Sequence, residues 1–178
     1  MKKLSLFFIT ICCLLCIPAC SHFMNQDDAK IKPEKLIDNA NVLSSSQKSI
    51  LTEKLNEISK RQECDVIIVT TKTLGNKTST DYANDYFKNN DYGYGWQKDG
   101  ILFLVSTDNI DWAISTNKFG ATAFTSAGRK YLMGVIAPWL SVLDYNTAFT
   151  KFVNLSDDFL EQARNGKPYD NGYLPKSL

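Results

Sequence analysis

The chain has 178 residues, 20 Lys and Arg against 19 Asp and Glu, and a single histidine, His22. A formal charge of +1 with no basic face or polybasic tail argues against nucleic acid as a partner. That histidine lies two residues after Cys20, in a stretch read below as a tether, which removes His-based general bases, Ser-His-Asp and Cys-His arrangements, and His-ligated zinc from the folded part.

Lys2 and Lys3 precede an apolar run from Leu4 to Ile17, which has the pattern of a secretory signal and is too short for a comfortable membrane span. It runs into Ile17-Pro18-Ala19-Cys20, which resembles a bacterial lipoprotein processing box, with Pro18 an unusual member. Residues 1–19 are therefore expected to leave as a lipoprotein signal peptide, with Cys20 lipidated. The competing reading is ordinary cleavage with Cys20 incidental. Each buried acyl methylene would add about 0.8 kcal/mol of anchoring, on the outer side of the cytoplasmic membrane or in an outer membrane. Cys12, Cys13 and Cys16 leave with the signal, so Cys64 has no internal disulfide partner and stability must come from a core. Loss of Lys2 and Lys3 brings the formal charge near −1. Residues 20–35 are polar, carry Asp27-Asp28 and Pro33, and read as a flexible tether.

Leu36 to Leu43 could form a strand or an ordered loop. Ser44-Ser45-Ser46-Gln47 then opens a helix with a capping box, and Ile50, Leu51, Leu55 and Ile58 share one of its faces. Cys64 to Thr70 is a β-branched, buried strand. Cys64 at its edge reads as packing, because no histidine is at hand to activate it. After a turn at Gly75-Asn76, Ser79 is expected to cap a helix that carries Tyr82, Ala83, Tyr86 and Phe87 inward.

The centre of the chain is Tyr92 to Thr116. A loop with Gly93, Gly95 and Trp96 leads through Asp99-Gly100 into Ile101-Leu102-Phe103-Leu104-Val105. A continuous apolar run between turn residues predicts a strand buried on both faces, the middle of a sheet. A short turn and a second strand, Asp111 to Thr116, follow. Phe119-Gly120 turns the chain. Thr125 caps a helix with Tyr131, Leu132, Val135 and Ile136 on one face, and Pro138 is expected to close or kink it. Asp144 opens the last helix, whose stripe is Ala148, Phe149, Phe152, Val153, Phe159, Leu160 and Ala163, with Gly166 as its stop. Residues 36–166 thus form one α/β domain, a three-layer α/β/α sandwich with a small mixed central sheet. Residues 167–178 make a loosely held tail.

Gly93 and Gly95 precede a strand, whereas a phosphate cradle follows one, so they are not a nucleotide fingerprint. Tyr92, Tyr94 and Trp96 are candidate partner contacts, with core packing as the competing reading. Asp38, Asp99, Asp108 and Asp111 fall near strand ends, where loops converge, and hard oxygen ligands suit calcium or magnesium. Aspartates at turns also bond their own backbone, which is the competing reading for each.

The ordered series Asp38-x-Ala40-x-x-Leu43-Ser44, Tyr92-Gly93-Tyr94-Gly95, Asp99-Gly100-Ile101-Leu102-Phe103-Leu104, Ser106-Thr107-Asp108, Asp111-Trp112-Ala113-Ile114-Ser115-Thr116, Ala123-Phe124-Thr125 and Asp144-Tyr145-x-x-Ala148-Phe149 resembles the TPM domain family over residues 36–169. The resemblance implies a central sheet between helices. It also implies an acid phosphatase-like activity in some members and calcium bound through acidic residues near strand ends in others; the matching positions are Asp38, Asp99 and Asp108. Two departures weaken that carry-over. Asp108-Asn109-Ile110 stands where relatives often have Asp-Asp-Arg, and Ser126 where they often have Asp. Without an arginine at position 110, phosphate loses a bidentate clamp. Two functions follow as expectations: a non-catalytic, lipid-anchored binding or assembly module of the cell envelope, favoured here, or a divalent-metal-dependent phosphatase outside the cytoplasm.

Overall fold

The computed structural model describes residues 33–175, so Cys20, the signal and most of the tether lie outside the described residues. The elements in chain order are β1 (Leu36–Asp38), α1 (Ser45–Arg61), β2 (Asp65–Thr71), α2 (Ser79–Asn89), β3 (Gly100–Ser106), β4 (Asp111–Asn117), α3 (Phe119–Ala123), α4 (Ser126–Ser141) and α5 (Tyr145–Arg164). The sheet order is β1-β2-β3-β4. β1, β2 and β3 are parallel, and β4 returns antiparallel to β3. The mixed sheet and its helical cover agree with the expected three-layer α/β/α architecture.

Every residue of β2 and β3 is buried, as their unbroken apolar runs require. Alternation along them feeds two cores. Val66, Ile68, Ile101, Phe103 and Val105 face α1, α4 and α5, where Phe103 meets Phe152 at 4.9 Å between ring centres. Ile67, Val69, Leu102 and Leu104 face Ala83 and Phe87 of α2. Both parallel crossovers step the same way along the sheet, yet α1 and α2 lie on opposite faces. One of the two must therefore be left-handed, a hand that β-α-β units rarely adopt.

The helix starts follow local chemistry. Ser44 and Gln47 form the full capping box of α1, Thr125 caps α4 and Asp144 caps α5. Several details differ from the sequence reading. The cap of α2 is Thr78 rather than Ser79, its hydroxyl accepting from the Asp81 N–H at 3.1 Å. Ile50 is exposed, because the buried face of α1 is set by Leu51, Leu55 and Ile58. Phe119-Gly120 opens α3 rather than a simple turn. A Cβ on Gly120 would stand 2.0 Å from the Gly100 carbonyl oxygen, so α3 lies directly on the start of β3. Pro138 lies inside α4, which runs on to Ser141. Burial of Leu140 in the core holds that last turn despite the hydrogen bond that proline cannot donate. Beyond Gly166 the chain is tied down: Tyr169 packs 4.9 Å from the Phe159 ring, and its carbonyl accepts from the Thr125 hydroxyl at 2.7 Å.

Candidate functional site

The three aspartates singled out as a metal set do not meet. Asp38 ends β1 and Asp108 follows β3, which places both at the carboxyl ends of the parallel strands. Asp99 precedes β3 and lies at the opposite end of the sheet. In register, Asp38 stands beside Thr70 and Gly100 beside Asp65. The length of β2 between those levels is about 17 Å at ~3.3 Å per residue.

Asp38 is also already saturated. Its Oδ1 accepts from the Val42 N–H at 3.1 Å and the Thr70 hydroxyl at 2.7 Å. Its Oδ2 accepts from the Leu43 N–H at 3.1 Å and pairs with Lys48 Nζ at 2.9 Å. Burial works against ionisation of this carboxyl, but these four donors outweigh it and hold the pKa below the ordinary carboxylate value. The carboxylate is the clasp that folds residues 38–43 back onto β2. Asp108 is exposed in the β3–β4 turn, its N–H bonded to the Lys72 carbonyl at 3.0 Å. Among the described residues there is no group of three or more His, Cys, Asp or Glu side chains placed to hold a metal ion. The residues that match the family's acidic positions therefore do not fit a shared calcium site in this chain.

The aromatic trio divides. Tyr92 belongs to the core: it is 4% exposed, stacks on Tyr86 at 6.2 Å, and donates its hydroxyl to the Glu34 carbonyl at 3.0 Å. Burial, above all, raises its phenol pKa. Tyr94 and Trp96 instead line a cleft of about 750 Å³ at the amino end of β3.

This cleft is assembled from four parts of the chain. The first is the hairpin tip between Tyr94 and Asp99, closed by Tyr94 N–H to Asp99 O at 2.8 Å and Asp99 N–H to Tyr94 O at 3.1 Å. Gly93, at φ +111, enters the hairpin with its N–H bonded at 3.0 Å to Asp65 Oδ2, and a Cβ there would fall 2.5 Å from the Lys98 backbone. The same Asp65 oxygen pairs with Lys35 Nζ at 2.7 Å, both side chains being only 6% exposed. So pinned, the hairpin carries Trp96 at 89% exposure. The second part is the start of α3, where Asp99 Oδ1 accepts from the Phe119 N–H at 2.8 Å. Lys118 just before it holds φ +50, backbone that non-glycine residues adopt at a cost. The third is the end of α5, where the Arg164 guanidinium donates to the Gln62 carbonyl and lies 4.3 Å from the Phe119 ring centre. The fourth is Glu63, at φ +45 between α1 and β2. Cys64, one residue on, is fully buried; desolvation first, then Asp99 and Asp65, pushes its thiol pKa up, so it is no nucleophile.

Sequence reasoning found Trp96, Tyr94 and Asp99 of this cleft and missed Glu63, Lys118 and Arg164. An arginine in the last turn of a helix is accounted for by the helix dipole alone. Nothing local marks Lys118; only the return of β4 beside β3 brings it to Asp99.

The comparisons agree with this fold. No curated protein sequence matches the chain. The N-terminal domain of a protein from P. gingivalis, solved in solution, superposes with a TM-score of 0.64 at 15% identity, over 77% of this chain and 87% of that one. The BA42 protein of the psychrophilic bacterium Bizionia argentinensis gives 0.59 at 14% identity, over 76% and 90%. The N-terminal domain of the cg2496 protein of Corynebacterium glutamicum gives 0.56 at 10%, over 81% and 87%. At such identities the likeness is one of fold. The family profile of the TPM domain matches residues 36–159, most of the chain and nearly all of its folded part, and the chain belongs to the TPM domain family.

Proposed function

We propose that this TPM-domain chain is a lipid-anchored extracytoplasmic binding module of the cell envelope, held by Cys20 and engaging a partner protein through the Trp96 cleft. The observation that carries the reading is Trp96 itself, held almost fully exposed on a pinned hairpin at the edge of a cleft that also presents an arginine. Tryptophan and arginine are the residues that dominate binding interfaces. Burying a tryptophan removes ~150–250 Å² from water, or about 4–6 kcal/mol gross at ~25 cal/mol per Å². A partner that buried Trp96 would gain that term. The metal-dependent phosphatase reading draws no such support, because the oxygens of Asp38 are taken by four donors and Asp99 stands at the other end of the sheet.

The test is a photo-crosslinking amino acid placed in cells at position 96 and, as a control, at exposed position 50 on α1. Adducts specific to position 96 are expected; identical patterns at the two positions, or none, would remove the cleft from the argument. Metabolic labelling with a fatty-acid probe tests the anchor. Label that disappears in Cys20→Ala is expected, and an unlabelled wild type would overturn the lipid reading.

A further inference from the structure

The geometry points to a specific ligand class for the cleft: a peptide segment bearing a single carboxylate, gripped by Arg164 and Lys118 and covered by Trp96. This deepens the binding role just proposed and rests on it.

Arg164 and Lys118 both line the cleft, and neither is ion-paired among the described residues. Arg164 is positioned in advance: one N–H is held by the Gln62 carbonyl and its plane rests on Phe119, so little freedom is lost when its remaining donors meet an oxygen pair. Lys118 is fixed at its root by strained backbone. Asp99 and Glu63 also line the cleft, yet among the described residues neither is ion-paired with either cation, and Asp99 Oδ1 is turned to the Phe119 N–H. Two exposed cations thus line one cleft, one of them a guanidinium already held by a carbonyl, and a carboxylate suits both.

The cleft also limits how much negative charge it can take. Glu63 and Asp99 line it too, so a polyanion would be repelled from part of the surface. One carboxylate fits, and a phosphate-dense ligand or a nucleic acid strand does not. Trp96 and the Phe119 ring supply apolar surface beside the charges, which matches a peptide with an aromatic or aliphatic neighbour to its acid. The carboxylate could be a side chain or a chain terminus, and the same two cations would read both.

The experiment uses the full-length chain in detergent and three pools of short, aromatic-containing randomised peptides carrying a neutral fluorophore, read by polarisation. One pool has a single Asp or Glu and an amidated end. The second has Asn or Gln there and a free C-terminal carboxylate. The third has neither acid. At least one acidic pool is expected to bind about tenfold more tightly than the third, with the preference fading at high salt. The pool that binds identifies the source of the carboxylate. Lys118→Met and Arg164→Met should each remove about that tenfold, and Arg164→Lys should restore only part of it. Should Arg164→Met lower the melting point, Lys118→Met carries the test by itself, because that side chain has no hydrogen bond to a described residue to lose. Equal binding of all three pools, no binding, or an acid preference untouched by both variants would overturn the inference. Position-96 crosslinks that persist alongside equal pool binding would leave the cleft as a partner site and remove only its carboxylate ligand.

Discussion

Asp38→Ala separates a structural clasp from a metal ligand. The side chain is 2% exposed and receives four donors. Alanine leaves the Val42 and Leu43 N–H groups and the Thr70 hydroxyl without their acceptor, while Lys48 is free to swing into water. Each stranded buried donor costs about 1–3 kcal/mol, and the partial exposure of this loop places the total near 2–4 kcal/mol. For a folded part of this size that is a fall in Tm of about 6–12 °C. Asp38→Asn is no rescue, since its amide NH₂ must face two donors wherever the oxygen is placed. The pH dependence gives an independent check. The folded carboxyl has a pKa below its ordinary value of 3.8, so the unfolded chain takes up the proton first as pH falls. The stabilisation is complete above the unfolded pKa and is lost as pH drops through the folded one. Urea melts of wild type and Asp38→Asn should therefore differ fully at neutral pH, with the gap starting to narrow only below about pH 4. A loss under about 0.5 kcal/mol, or a gap that persists unchanged into strong acid, would refute the clasp.

Calcium or magnesium should leave the wild-type Tm unmoved; a cation at a hundred times its Kd would add about 2.7 kcal/mol, so a clear upward shift in a thermal melt would revive the metal reading. Gly120→Ala should lose about 3 kcal/mol or fail to fold, because its Cβ would sit 2.0 Å from the Gly100 carbonyl oxygen; a wild-type denaturation midpoint would mean that α3 does not lie on β3. Trp96→Ala should shift stability by no more than about 0.5 kcal/mol, given its exposure, while weakening partner capture. Cys64 should resist iodoacetamide in the native protein and react fully in denaturant, since burial holds its thiol protonated; site-resolved mass spectrometry reads the difference.

The central strands were legible because their residues obey one constraint at a time. Ile101–Val105 must be dry on both sides, and Ser44-Gln47, Thr125 and Asp144 cap helices through their own backbone neighbourhood. Where two constraints compete, the sequence reading slipped. Pro138 reads as a helix stop or a kink, and the stop is ruled out only once Leu140 is seen buried beyond it. Tyr92 reads equally as a partner contact or as core until the Glu34 carbonyl is found accepting from its hydroxyl. Tyr169 reads as tail until Thr125 and Phe159 are placed beside it. The candidate site was the least legible part. Its charged members, Glu63, Asp99, Lys118 and Arg164, come from four separate connections or helix ends, and nothing beside any of them in the sequence points to the other three.

The location of the cleft follows from the sheet. In an open parallel sheet, loops at the carboxyl ends of strands diverge and leave a crevice. Here the Asp38 clasp folds residues 38–43 onto that end, leaving a cleft of about 330 Å³ beside Asp38 and Lys48, and β3 passes by a short turn directly into β4. Because β4 runs antiparallel, its carboxyl end returns to the amino end of β3 and sets Lys118 and Phe119 against Asp99. The amino ends of β2 and β3 thus gain what they would otherwise lack, a converging third connection, while α5 ends over the same spot with Arg164. A single antiparallel strand has thereby built a cleft of about 750 Å³ at the opposite end of the sheet. Asp38 at the usual end is spent as a backbone clasp, and the proposed partner site lies instead around Trp96.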